Sequence, residues 1–496
     1  MGGTAETGRD GKGGEAGGRL KVNLPFMAQQ THATAAVVDF VSSTTFKDIP
    51  SDALTIGRRC IADGIAVMLA GSTTAASEIL RAQVREDGSR EEATTIGRDS
   101  LRTRAASAAL VNATSGHAHD YDDTQLSTAS DRIFGLLTHP TIPPLAASLA
   151  LGERLGVSGR TMFEAFLVGF EVECKIADAI KPTHYKQGFH TSGTIGAFGA
   201  MAAAAKLLKL DRQALAHAIG ITASMSAGIR VSFGTMTKPL HVGRAAFNGV
   251  SAAELAARGF TSGADALDGQ WGFFQVTGGG FDVERIVGAL GNPWTIISPG
   301  VSIKPYPCGC LGHPTMDAML TLVTTHDVKP EQIKKIRLRA GSNILNPLRY
   351  KIANTELEAK FCPSFMLSAV ALRRKAGVNE FSDDFVRSAP VQAMMRKCET
   401  VFDQEIENRG FVRMLSIVEV ELEDGRVLTQ ESGPYRGGPE RPFTRQELRD
   451  KFMECGLLAL PAARLDPVFE RLESFEQIER VGEFTSMLAQ AALTTA

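Results

Sequence analysis

Seven cysteines in 496 residues are too few and too scattered for a disulfide framework, and their odd number leaves at least one thiol free. A reducing compartment is expected, cytoplasmic or, in a eukaryotic source, organellar. Cys308 and Cys310 form a C-x-C, but no second cysteine or histidine pair stands at zinc spacing and no cysteine set suits an iron–sulfur cluster. No metal and no cofactor are expected. Charge excess is missing too: 53 basic against 55 acidic side chains give no electrostatic footprint for nucleic acid or an anionic membrane. Uninterrupted apolar runs of bilayer-spanning length are absent, because Lys, Arg, Asp or Gly breaks each candidate.

Residues 1–24 are Gly-rich with interspersed charge and read as a disordered extension without the apolar centre of a secretory signal. From Ala28 to about Leu290 apolar residues recur at spacings of three and four, as in Ala35–Val41, Ile56–Leu69, Leu101–Asn112, Leu145–Leu155 and Thr161–Ala179. Strand signals are nearly absent there. Small residues saturate Gly193–Ala205 and Ala245–Ala257, which predicts closely packed central helices.

After Ile297 the pattern changes. Ile333–Arg339 and Ser416–Glu423 alternate apolar and charged residues, and Asp424-Gly425 predicts a hairpin into Arg426–Thr429. Glu358–Arg374 and Asp383–Lys397 read as helices. The fold class is therefore mainly α: a helical domain over 25–298, interrupted by a smaller α+β lid over 299–442. Helices over 443–496 then return to the helical domain, starting at the Thr444-Arg-Gln-Glu-Leu signal.

The densest chemistry lies in Ser115-Gly-His-Ala-His-Asp-Tyr-Asp-Asp-Thr124, with two imidazoles and three carboxylates between apolar helical segments. Such charge is costly to bury without a task. An Asp-rich capped turn after a helix also fits the run, and on steric grounds its groups cannot all face one way. His139-Pro140, Gly188-Phe-His190, Met236-Thr-Lys238-Pro-Leu-His241 and Lys304-Pro-Tyr-Pro-Cys308 add cations or titrating rings beside turn residues. Together they point to an enzyme for a small polyanion.

His119-Asp-Tyr-Asp-Asp-Thr124, Leu137-Thr-His-Pro140, Gly188-Phe-His-Thr-Ser-Gly-Thr194, Gly234-Thr-Met-Thr-Lys-Pro-Leu-His-Val-Gly243 and Ile303-Lys-Pro-Tyr-Pro-Cys308 occur in this order. In these motifs the chain resembles the MmgE/PrpD family, which includes 2-methylcitrate dehydratases and cis-aconitate decarboxylases. The resemblance implies a homodimer with its active site between a helical domain and a lid, doing cofactor-free chemistry on a di- or tricarboxylate. It implies Asp120, His139 and Lys238 as catalytic residues and Thr124, His190, His241 and Lys304 as substrate-binding residues.

Each type suits its task. Lysines replace the hydration a carboxylate loses on entering a cleft, and histidine moves protons near neutral pH. His139 is the expected proton carrier, with Asp120 orienting it or acting as base. Ordinary structural roles fit the same residues: a surface lysine at 238 or 304, and helix-start positions for His139 and His190.

Two departures from the family pattern stand out. Gln125–Leu137 is longer than in related members. Ala359-Lys-Phe-Cys-Pro-Ser-Phe365 puts phenylalanine where the family often has tyrosine, so the cleft is expected to lack one hydroxyl. The expected reaction is a hydro-lyase or carboxy-lyase step. Epimerisation or isomerisation of a dicarboxylate, and a non-catalytic carboxylate binder, are the alternatives.

Overall fold

The computed structural model describes residues 32–125, 138–410 and 414–491. The extension expected over 1–24 and most of the long Gln125–Leu137 segment lie outside the described residues. The chain is mainly α.

The early helices run Ala33–Ser43, Ser51–Gly71, Ala75–Asp87, Ala105–Ala118, Ile142–Leu155, Gly159–Ala179, Gly196–Leu208, Arg212–Met225 and Thr237–Ala256. Side chains set their starts. Ser158 accepts from the Thr161 amide at 3.3 Å, and Asp211 accepts from the Ala214 amide at 2.8 Å. Pro143 and Pro144 occupy the first turn of Ile142–Leu155, where an amide hydrogen has no helical partner anyway.

The alanine-rich Gly196–Leu208 helix is buried nearly all round and packs on Gly159–Ala179, Ile142–Leu155 and Thr237–Ala256. Small side chains permit the approach. A Cβ on Gly169 would come within 2.5 Å of the Gly199 carbonyl oxygen, a clash with backbone that has nowhere to move. Two short strand pairs that periodicity does not reveal trim this bundle: Ala93–Thr94 with Arg102–Thr103, and Gly97–Ser100 with Ala489–Ala491. Two to four residues are too few to carry an alternating pattern.

A four-stranded sheet has the order Cys398–Phe402, Ile333–Ala340, Ser416–Leu422, Val427–Glu431. The first pairing is parallel and the other two antiparallel. Ile336, Leu338, Val418 and Val420 point into the layer, where helices His313–Thr325 and Pro363–Arg373 pack. On the opposite face Arg337 pairs with Glu399 and Glu419, and Arg339 with Asp403. Gly425, at φ 86°, makes the turn into the last strand. The expected helix Glu358–Arg374 is broken at Lys360–Cys362, just before Pro363, and Asp383–Lys397 is broken at Ser388, before Ala389-Pro390.

Buried apolar side chains form two clusters. The first runs from Ala33 to Ile303 and takes in Phe443 to Leu488; the second runs from Tyr306 to Leu422. Thr444 and Glu447 cap the Arg445–Gly456 helix reciprocally, the Thr444 amide donating to Glu447 at 2.7 Å. Among the described residues no single helix is long and apolar enough to cross a membrane.

Candidate active site

The Ala105–Ala118 helix ends at a buried turn, and the chain reverses through Asp120 at φ 52°. Aspartate is among the few residues with a side chain that accept this left-handed conformation. The turn projects the Asp120 carboxylate at two ammonium groups: Lys304 Nζ stands 2.6 Å from Oδ1 and Lys238 Nζ 3.0 Å from Oδ2. Lys304 also donates to the Asp120 carbonyl at 2.8 Å. Both lysines are buried, so the surface role open to them in the sequence does not apply.

His139 completes the group, with Nε2 4.0 Å from Asp120 Oδ1 and Nδ1 3.2 Å from Asp122 Oδ2. Asp122, rather than Asp120, is thus the nearer carboxylate to His139. It also takes His117 Nδ1 at 2.9 Å, and the His117 and His139 rings meet edge to face with centroids 4.5 Å apart. The segment around His139 is anchored on both sides. Thr138 bonds Glu173, Thr141 Oγ1 donates to Asp123 at 2.6 Å, and the His139 amide donates to Ser192 at 3.1 Å.

These side chains open onto one cavity of about 310 Å³. Asp120, His139, His190, Lys238 and Lys304 line it, so five separate stretches of sequence converge there. Arg230 and Arg349 line it as well. Arg349 donates to the Phe233 carbonyl at 2.9 Å, while the Arg230 guanidinium lies over the Tyr185 ring at 3.8 Å. Phe361 and Phe233 supply apolar wall, each ring centroid within 6 Å of Lys238 Nζ.

Two expected contacts fall elsewhere. His241 does not line the cavity; its Nδ1 faces His190 Nδ1 at 3.1 Å, an arrangement that needs one proton between the two rings. Thr124 is not a lining residue either, and its backbone pairs both ways with Ser302, at 2.9 and 2.8 Å. Phe365 is fully buried in the second core, 5.0 Å from Phe381 ring to ring, and takes no part in the lining.

Burial alone pushes Asp120 toward its neutral form, but Lys238 and Lys304 outweigh it and hold the carboxyl well below the usual range. Asp122 is likewise held low, because His117 and His139 outweigh its burial. Burial lowers His139, and the two lysines lower it further against the pull of Asp122. His190 drops well below its ordinary value, by burial first and Lys238 next. Burial also lowers Lys238, whereas for Lys304 it is outweighed by Asp120 and Asp122. Lys238 is therefore the ammonium that gives up its proton more readily. Two acids behind the site are pushed the other way by burial, Asp123 to about 8 and Glu173 well above the carboxylate range.

Near neutral pH the cavity walls thus hold four cationic side chains and one carboxylate, with histidines biased to the neutral form. The surplus suits a ligand with more than one carboxylate. Oxygen and nitrogen atoms of His117, Asp120, Asp122 and His139 lie within 4.8 Å of one another, close enough for a metal. Yet both oxygens of Asp120 already face ammonium groups, and these would repel a divalent ion.

A model of the MmgE/PrpD N-terminal domain matches residues 35–286, and one of the MmgE/PrpD C-terminal domain matches 306–472. The chain belongs to the MmgE/PrpD family. It is 25% identical to a cis-aconitate decarboxylase of Homo sapiens over 441 residues, 87% of this chain and 89% of that protein. It is 26% identical to the Mus musculus cis-aconitate decarboxylase, with 87% and 88% covered. A cis-aconitate decarboxylase of Aspergillus terreus is 24% identical, with 92% and 95% covered.

Of the cavity residues in this MmgE/PrpD chain, Arg230, Arg349 and Phe361 escape sequence reasoning. Arg230 and Arg349 stand outside the quoted runs with no cation or histidine next to them, and Phe361, though inside Ala359–Phe365 and beside Lys360, carries no charge or titrating group to mark it. Asp122 and His117 were visible within the dense run, but their partnership depends on the helix end folding back.

Proposed function

We propose that the protein is a cofactor-independent carboxy-lyase for a small tricarboxylate, with cis-aconitate or a close analogue as substrate. One observation carries the reading: Asp120 lies between Lys238 and Lys304 in a buried cavity, with His139 Nε2 4.0 Å away. The names of the similar proteins support the choice of acid.

Lys238 and Lys304, with the arginines at the wall, take the carboxylates that remain in the product. Burial first and the lysines next depress His139; three negative charges entering the cavity offset the lysine part, so the imidazole gains a proton as substrate binds. His139 then gives that proton to the alkene carbon. The bond from the methylene carbon to its carboxylate breaks, carbon dioxide leaves, and the bonding pair becomes the new carbon–carbon double bond. The lysines stabilise the charge that develops on the retained carboxylates during this shift. Asp122 holds the other edge of His139. Residues 299–442 serve as the lid, with Arg349 and Phe361 over the bound acid.

Proton NMR of the protein with cis-aconitate in heavy water tests the reading. Loss of carbon dioxide with one deuterium placed on the former alkene carbon is expected. Absence of both turnover and exchange with cis-aconitate, citrate and 2-methylcitrate would sink it. Exchange without loss of water or carbon dioxide would turn the assignment to an epimerase or isomerase.

A further inference from the structure

We infer that Lys451, on the C-terminal helix Arg445–Gly456, is a positioning residue that holds the Asp120–Lys304 pair in register from behind, with Asp63 as its counter-charge. The inference rests on the reading of Asp120 and Lys304 as substrate-handling groups.

Lys451 and Asp63 have side chains only 3% and 1% exposed, on helices that meet in the first core. This ammonium has two carbonyl acceptors and one carboxylate counter-charge. Lys451 Nζ lies 2.6 Å from Asp63 Oδ1, 2.8 Å from the Tyr121 carbonyl and 2.9 Å from the Lys304 carbonyl. It also sits 3.9 Å from the centre of the Tyr121 ring.

Those two carbonyls are informative. One belongs to the residue directly after Asp120 and the other to Lys304 itself. On the cavity side the Lys304 ammonium reaches back to the Asp120 carboxylate and carbonyl. Two lysines thus clamp the same pair of strands of chain from opposite sides, one through side-chain contacts in the cavity and one through the backbone behind it. Neighbouring bonds extend the seam: Thr124 pairs with Ser302 in both directions, and the Tyr121 hydroxyl donates to the Pro305 carbonyl at 3.3 Å.

A stability role alone would not require this geometry. A buried ion pair returns little net stability compared with apolar packing of the same volume. A left-handed turn at Asp120, by contrast, needs fixing if its carboxylate is to meet two ammonium groups at 2.6 and 3.0 Å. Lys451 lies far along the chain from both partners, and no motif marks it.

The test uses the full chain and the neutral pair Lys451→Met with Asp63→Asn, compared with Asp63→Asn alone. The single change keeps the donors of Lys451 on both carbonyls; the pair removes them without leaving a lone buried charge. Calorimetry with propane-1,2,3-tricarboxylate, a probe that cannot decarboxylate through an alkene, gives the competent fraction and Kd separately. Turnover of cis-aconitate gives kcat. For the pair, we expect an undiminished competent fraction, Kd raised about 10-fold and kcat lowered about 100-fold, the scale of a misplaced reacting group. Asp63→Asn alone should stay within about threefold of the parent on both measures.

A purely structural role would lower the competent fraction and leave Kd and kcat per competent site unchanged, which overturns the inference. Equal losses in the single and double variants overturn it as well. If the neutral pair is too unstable to purify, Lys451→Arg carries the same reading, because its planar fork keeps the charge beside Asp63 without placing one donor on each carbonyl. Lack of turnover by the parent protein counts against the proposed reaction alone, since the binding arm still judges Lys451.

Discussion

Lys304 grips Asp120 twice, donating to the carboxylate at 2.6 Å and to the same residue's carbonyl at 2.8 Å. The carboxylate therefore belongs to a fixed array and also competes with an incoming anion for the ammonium groups.

Replacing Asp120 by Asn removes that competitor and keeps the shape. Affinity for a tricarboxylate should hold or tighten, while kcat falls about 100-fold or more through loss of the proton-transfer array. Calorimetry and steady-state kinetics give the two quantities separately. Weaker binding with unchanged kcat would show that Asp120 serves the ligand directly.

Binding should take up protons. His139 is depressed in the empty cleft by burial and then by the lysines, so it is largely neutral at pH 7. A bound polyanion reverses the lysine contribution and raises the ring, so affinity increases as pH falls through the bound-state value toward the lower value of the empty cleft. Calorimetry at pH 7 in two buffers of different ionisation enthalpy measures the uptake, and His139→Ala should reduce it. Zero uptake in the parent protein would contradict this account of the imidazole.

Arg349 stands at the exposed rim of the cavity and hydrogen-bonds the Phe233 carbonyl. Its contact with a remote carboxylate would be screened by water, so Arg349→Met should raise KM for a tricarboxylate by about 10-fold and barely change kcat. A dicarboxylate lacking the remote group should show no such rise. Equal effects on both acids would mean the arginine supports Phe233 and not the ligand.

Asp123 gives a stability prediction of defined sign. Its folded-state value is about 8 against an ordinary 3.8, with burial as the leading cause. Between these values the folded protein holds a proton that the unfolded chain releases, so this group's contribution to stability declines as pH rises and levels off above about 8. Asp123→Asn offers Thr141 an acceptor and a donor without the titration. Its Tm should fall less between pH 5 and 8 than that of the parent, and match or exceed it at pH 8. Parallel Tm curves would show that Asp123 does not carry this proton.

Much of the bundle was legible because its helices bury one face at regular spacing and its central ones are built from Ala and Gly. The alternating strands Ile333–Ala340 and Ser416–Leu422 were legible for the analogous reason. Cys398–Phe402 was not: it is an edge strand whose Val401 and Phe402 are exposed, so its pattern does not alternate. Within the site, Asp120, His139, His190, Lys238 and Lys304 stood out because turn residues flank unusual charge. Thr124 and His241 stood out for the same reason, yet the cavity does not use their side chains as wall. Spacing reveals neither which of two neighbouring residues faces inward nor that an arginine from another segment arrives beside them. Lys451 illustrates the limit: its role depends on two carbonyls 330 and 147 residues upstream, and a carbonyl has no letter in a sequence.

The backward twist at Asp120 also narrows what can occupy that position. Glycine would relax the turn but bring no anion, and asparagine would fit it uncharged. Glutamate would carry the charge on a longer arm while paying a steric penalty in the same backbone. Shape admits only a short roster of residues here and electrostatics strikes out all but one, so conformation and chemistry select the same amino acid for independent reasons.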